Sequence, residues 1–98
     1  MDIKEQAYQQ KMEAQLKQWK AKIDIAEARA EQVGADAKIK YAEQLETINE
    51  KYEQAQEKLA ELQDASEDAY KEIRQGLDKA IQELSDSMSK ASNVLKNQ

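Results

Sequence analysis

Apolar side chains recur every three or four residues along almost the whole of this chain. From Met12 the series runs through Leu16, Trp19, Ile23, Ala26, Ala30, Val33, Ala37, Tyr41, Leu45, Ile48, Tyr52, Ala55, Leu59 and Leu62. It resumes with Ser66 in register, then Ala69, Ile73, Leu77, Ala80, Leu84, Met88, Ala91 and Leu95. The mean step is roughly 3.6 residues, the period of a straight α-helix and not the 3.5 of a strict heptad seam, so any supercoil is expected to be slight. Within the series, "KYAEQLETINE" and "KYEQAQEKLAE" (40–61) are one phrase written twice, which sets Tyr41 over Tyr52 and Ile48 over Leu59 three helical turns apart. A single stripe of this kind is buried when helices pack on one side and face water on the other.

The chain must reverse or find a partner, because one continuous helix would leave its stripe bare. Two places invite a break. In "VGADA", Gly34 costs roughly 1 kcal/mol relative to Ala inside a helix, and it can end one helix while Asp36 caps the next. In "LQDASEDAY", Asp64 or Ser66 can cap a new helix. Asp64 and Glu67 stand at capping-box spacing there, and Glu67 and Asp68 place negative charge where the helix dipole favours it.

The second break carries more local signals, so the primary expectation is an all-α antiparallel hairpin. It has a long helix over about 2–63 and a second over about 66–95, within a single coiled-coil domain spanning 1–98. At 1.5 Å per residue these would measure ~93 Å and ~46 Å. Half of the long helix would then be uncovered. Leu16, Trp19, Ile23 and Val33 are expected to meet a second copy there and complete a multi-helix bundle. If Gly34 also turns the chain, the three segments are nearly equal and close as a monomeric up-down-up bundle, which is the alternative. The Ser- and Asn-rich end, "SDSMSKASNVLKNQ", is expected to fray from about Ser92, because such side chains compete for backbone hydrogen bonds. Acids four residues before bases (Glu13–Lys17, Asp36–Lys40, Glu67–Lys71, Asp86–Lys90) favour helix on the polar faces.

Composition narrows the function classes. Proline is absent and the strong helix formers dominate, so no other fold class competes. Charged residues make up 36% and Phe is missing, which leaves a narrow core and no room for a spacious cleft. Without Cys there is neither a disulfide framework nor thiolate chemistry. The net charge is −5 and the bases are interleaved with acids along the chain, so nucleic acid is not an expected partner. No run of ~18 apolar residues could span a membrane, and "MDIKEQAYQQKMEAQ" lacks the apolar core of a secretory signal; a cytoplasmic location is expected.

Candidate chemistry is sparse. A di-iron bundle needs inward Glu residues with Glu-x-x-His pairs, and zinc needs Cys or His; the chain has no His. No calcium loop with its central Gly and no Gly-rich phosphate loop occurs. The remaining general bases lie in polar surroundings that would not shift their pKa far. No catalytic residue, cofactor or metal site is therefore expected. Trp19 could serve as a stacking platform or interfacial anchor, but its spacing fits the core stripe, and Tyr41, Tyr52 and Tyr70 can bury their rings with their hydroxyls in water.

"QLKQWKAKID" with its lone Trp, "ADAKIKYAEQL", and "QEKLAELQDASEDAYKEIRQGLDKAIQEL" follow one another here as they do in a family of short bacterial coiled-coil proteins of similar length, mostly of unassigned function. The chain resembles that family over roughly residues 12–90. The most particular element is Ser66-Glu67-Asp68-Ala69-Tyr70, where relatives look similar, often with Gly after the Ser and Trp in place of Tyr70. The resemblance implies a helix start at Ser66 and brings no catalytic residues; Gly34 departs from its Ala/Lys-rich pattern. The expected role is a non-enzymatic scaffold or oligomerisation protein with itself, or an unidentified protein, as partner. Two alternatives remain: an amphipathic lipid-surface binder, disfavoured by the narrow stripe and negative charge, and a stress-protective helix former, suggested by the mean hydropathy of −1.00.

Overall fold

The computed structural model describes residues 3–96, the side chain of Leu95 excepted. The expected helix start at residue 2 and the last seam side chain, Leu95, lie outside the described residues. Three helices follow one another: α1 (Ile3–Ala30), α2 (Ala35–Gln63) and α3 (Glu67–Lys96). They pack up-down-up into an all-α bundle with principal extents of 50 × 18 × 16 Å. Helices of 28, 29 and 30 residues are each about 42–45 Å long, so every helix can be covered along its full length by the other two.

The seam is the core. Of the positions on the 3.6-residue series, Met12, Leu16, Ile23, Tyr41, Ile48, Leu59, Leu62, Leu77 and Leu84 are buried, and Ala26, Ala30, Ala55, Ala80 and Ala91 are buried among them. The core has two parts. One gathers Tyr8, Met12 and Leu16 of α1 with Leu59 and Leu62 of α2 and Tyr70 and Leu77 of α3, at the end that holds the α2–α3 turn. The other joins Ile23, Ala26 and Ala30 to Tyr41, Leu45 and Ile48, and to Leu84 and Ala91, toward the α1–α2 turn. Tyr52 packs against both parts.

The expectation of a continuous helix over about 2–63 is overturned. At Gly34 the backbone is extended (φ −65°, ψ 163°), which interrupts helical hydrogen bonding and makes Gly34 the N-cap of α2. Gln32 N–H bonds to the Arg29 carbonyl at 3.0 Å and Glu31 N–H to that of Ala28, so α1 tightens before it ends. Asp36 lies inside the first turn of α2 and is not its cap. The architecture is the alternative three-helix bundle, and its reason is coverage: folding α1 back buries within one chain a stripe that the hairpin could cover only with a second copy.

At the second turn Asp64 is the C-cap of α2, its N–H donating to the Glu61 carbonyl and the following Ala65 N–H to that of Leu62, so it is not the start of a capping box. Ser66 caps α3, its Oγ accepting the N–H of Ala69 at 3.3 Å. Neither turn uses a positive φ. α3 stays helical through Lys96, past the expected fraying point at Ser92, because Ala91 is fully buried and Val94 packs against the core. None of the four expected acid-base pairs forms among the described residues; Glu13 instead accepts from Gln63 across α1 and α2, and Asp86 from Gln82.

Candidate functional site

The predicted interface residues are placed as follows. Leu16 and Ile23 are core residues of the same chain, at 5% and 1% exposure, and cannot serve as an exposed oligomer interface. The physical reason is again the turn at Gly34, which brings α2 and α3 over them. Trp19, near the middle of α1, is half-buried against the core part that extends to the α1–α2 turn, with the Lys22 ammonium 4.6 Å above its ring. Val33 is half-buried in the turn itself. Gly34, Asp64 and Ser66 all lie in turns, as expected, in the roles given above.

Tyr8 was missed. It stands four residues before Met12, so extending the apolar series by one step toward the amino terminus would have found it. Its hydroxyl donates to Asp78 Oδ1 at 2.5 Å, and the Arg74 guanidinium lies 4.1 Å over its ring. Burial first, and then the bond to Asp78, pushes the Tyr8 phenol well above its ordinary range. This contact ties α1 to α3 where their backbones stay apart, since no Cα atoms of the two helices come within 8 Å among the described residues. On the opposite side of α3, Lys51 of α2 meets Glu83 at 2.6 Å and holds its carboxyl below the usual range.

Beyond the Tyr8 contact the α1–α3 side opens into a groove near the α1–α2 turn, lined by Lys22, Ile25, Arg29, Met88 and Ser92, with Tyr41 at its floor. Burial raises the Tyr41 phenol, while Arg29 beside it acts in the opposite direction. A second groove runs between α1 and α2 along Leu16, Tyr52 and Leu59, and a third between α2 and α3 is bordered by Lys51, Lys58, Lys79 and Glu83. All three are open to solvent. Among the described residues no group of three acidic side chains is arranged to hold a metal ion, and no helix is long and apolar enough to cross a membrane.

Charge is sorted more sharply in space than along the chain. Lys4, Lys11, Lys22 and Arg29 recur roughly two or three turns apart, so they share one strip of α1, whose Lys22 and Arg29 line the α1–α3 groove. The other positions of the strip are Tyr8, Gln15, Gln18 and Ile25, with no carboxylate. On α2 the outward face carries Glu43, Glu46, Glu50, Glu53 and Glu57 without an intervening base, and Ile39 at its head is 64% exposed. Interleaving in the sequence hides this, because neighbours in the chain point 100° apart on a helix.

No family model matches the chain, and neither a curated protein nor a solved structure is significantly similar to it.

Proposed function

We propose that this protein is a non-enzymatic helical scaffold that works through the outer faces of its bundle and associates with further copies of itself. The observation that carries the reading is the segregation of charge onto two separate faces, a basic α1 strip and an acidic α2 ridge, on a molecule whose grooves are open and whose apolar stripe is consumed internally. Opposed charged faces steer association and set its register more than they add affinity. The absence of His and Cys from the chain supports a role without chemistry at a catalytic centre.

Light scattering in line with size exclusion tests it, across protein concentrations from micromolar to millimolar. A mass that rises above one chain supports the reading, and one constant at a single chain removes it. A second reading, binding to an anionic lipid surface, draws on the same α1 strip, where Lys22 and Arg29 stand beside half-buried Trp19 and the 56%-exposed Ile25. Flotation with vesicles containing phosphatidylserine tests that reading, which fails if the protein stays at the bottom of the gradient.

A further inference from the structure

We infer that copies of this chain join head to tail, the glutamate ridge of α2 from one molecule lying along the basic α1–α3 face of the next. The inference rests on the self-association proposed above and names the two surfaces that meet.

The geometry starts from the order of the helices. α2 packs against both α1 and α3, so its outward face points directly away from the α1–α3 side. Those two faces are therefore opposite sides of one prism. One carries Glu43, Glu46, Glu50, Glu53 and Glu57, none of which is in an ion pair among the described residues. The other carries Lys4, Lys11, Lys22 and Arg29 along α1, with Arg74 contributed by α3. Lys4, Lys11 and Arg29 are likewise in no ion pair there, while Lys22 and Arg74 lie over aromatic rings.

Shape agrees with charge. α1 and α3 are the only pair of helices whose backbones do not approach closely in the described structure, which leaves a channel between them. Tyr8 and Asp78 bridge that channel toward one end, and toward the other it is open between Ile25 and Met88. A helix laid along it would complete a local four-helix arrangement, the fourth helix coming from the neighbour's α2. The basic strip extends over about 38 Å of α1 and the ridge over about 21 Å of α2, so the ridge fits within the strip with room to slide. Exposed Ile39 at the head of the ridge can then meet apolar Ile25 or Met88 in the open part of the channel. Each molecule presents one ridge and one channel on opposite sides. Such an interface does not close as a two-fold dimer and continues as a chain or ring.

Charge reversal tests the inference, because both surfaces are solvent-exposed and their variants keep the buried seam. Wild type at about 0.05 M salt should show a mass that climbs with concentration, and raising the salt to about 0.5 M should return it to one chain, since exposed pairs are screened over a few ångströms there. A ridge variant (Glu46→Lys, Glu50→Lys, Glu53→Lys) and a strip variant (Lys11→Glu, Lys22→Glu, Arg29→Glu) should each lose association at least tenfold. Mixing the two variants should restore it, because each then offers the face that the other needs. One chain carrying all six changes should also associate. Circular dichroism reports whether each variant keeps its helices.

If wild type self-associates but neither reversal weakens it, the faces named here are wrong and the scaffold reading stands. If wild type remains a single chain at low salt, both fall. If wild type remains a single chain yet floats with phosphatidylserine vesicles, and the strip variant alone loses flotation, the basic face belongs to a lipid surface and this inference is overturned.

Discussion

The two ends of the bundle are built on different principles. At the α2–α3 turn the helix start is capped by a side chain, the core is filled by Met12, Leu16, Leu59, Leu62 and Leu77, and Tyr8 ties α1 to α3 through Asp78. At the α1–α2 turn Gly34 caps α2 with no side-chain hydrogen bond, and Ala26, Ala30 and Ala91 pack among the larger Ile23, Tyr41, Ile48 and Leu84. There the α1–α3 channel lies open. One end fixes the arrangement of three helices through bulk and directed bonds. The other packs alanines among large buried residues, has a cap without a side-chain hydrogen bond, and leaves surface for something else.

The largest effect should come from removing bulk at the capped end. Leu62 has no exposed area, and Leu62→Ala is expected to cost about 2–5 kcal/mol, read as a fall in the urea midpoint with an unchanged slope. Adding bulk at the other end is the counterpart. Ala91 is also fully buried, so Ala91→Leu should cost about 1–3 kcal/mol by overpacking. A neutral or stabilising result in the same denaturation experiment would mean that this end is loosely packed and the contrast is greater than described.

Tyr8→Phe deletes the bond to Asp78 and keeps the ring. It should cost about 1 kcal/mol, because the Asp78 carboxylate remains able to take up water. The folded pKa of Tyr8 lies above the unfolded value of 10.0, so its contribution is complete below pH 10 and is lost as pH rises through the folded value. Stability measured from pH 9 upward should therefore fall less steeply in Tyr8→Phe than in wild type.

The turns themselves give the smallest effects. Ser66→Ala should cost roughly 0.5–1 kcal/mol, at the lower part of the range for caps because the bond to Ala69 is long. Gly34→Ser supplies the missing cap and meets no atom within 4 Å, so it should raise stability by a few tenths of a kcal/mol. If hydrogen exchange at residues 35–38 slows in that variant to match residues 67–70, the difference between the two ends resides in their caps.

Helix content and the buried stripe were legible from spacing alone. A 3.6-residue series needs no partner to reveal which side of a helix avoids water, and nearly every position of the series is buried or half-buried. Ser66 was legible too, because a cap is a local interaction between a side chain and an amide three residues on. Gly34 was legible only as an alternative break, since the apolar series passes through it in phase and its backbone angles are open to any residue. The opposed charged faces were hidden for a related reason. A helix sorts charges by angle, and only the placement of α1 and α3 around α2 shows which angles face a neighbour and which face water.

What decided the turn at Gly34 is a property of the whole chain. A helix over 2–63 and a bundle of three helices satisfy the same local rules, and they differ in whether Leu16 and Ile23 have cover. Burial is a sum over distant contacts, with Leu59, Leu62 and Leu77 lying over the first half of α1 and Tyr41, Ile48 and Leu84 over the second. Local propensity spoke for the helices and for Ser66. The choice between one chain folded on itself and a stripe left bare was made by packing, because hydrophobic burial depends on area removed from water wherever in the chain that area comes from.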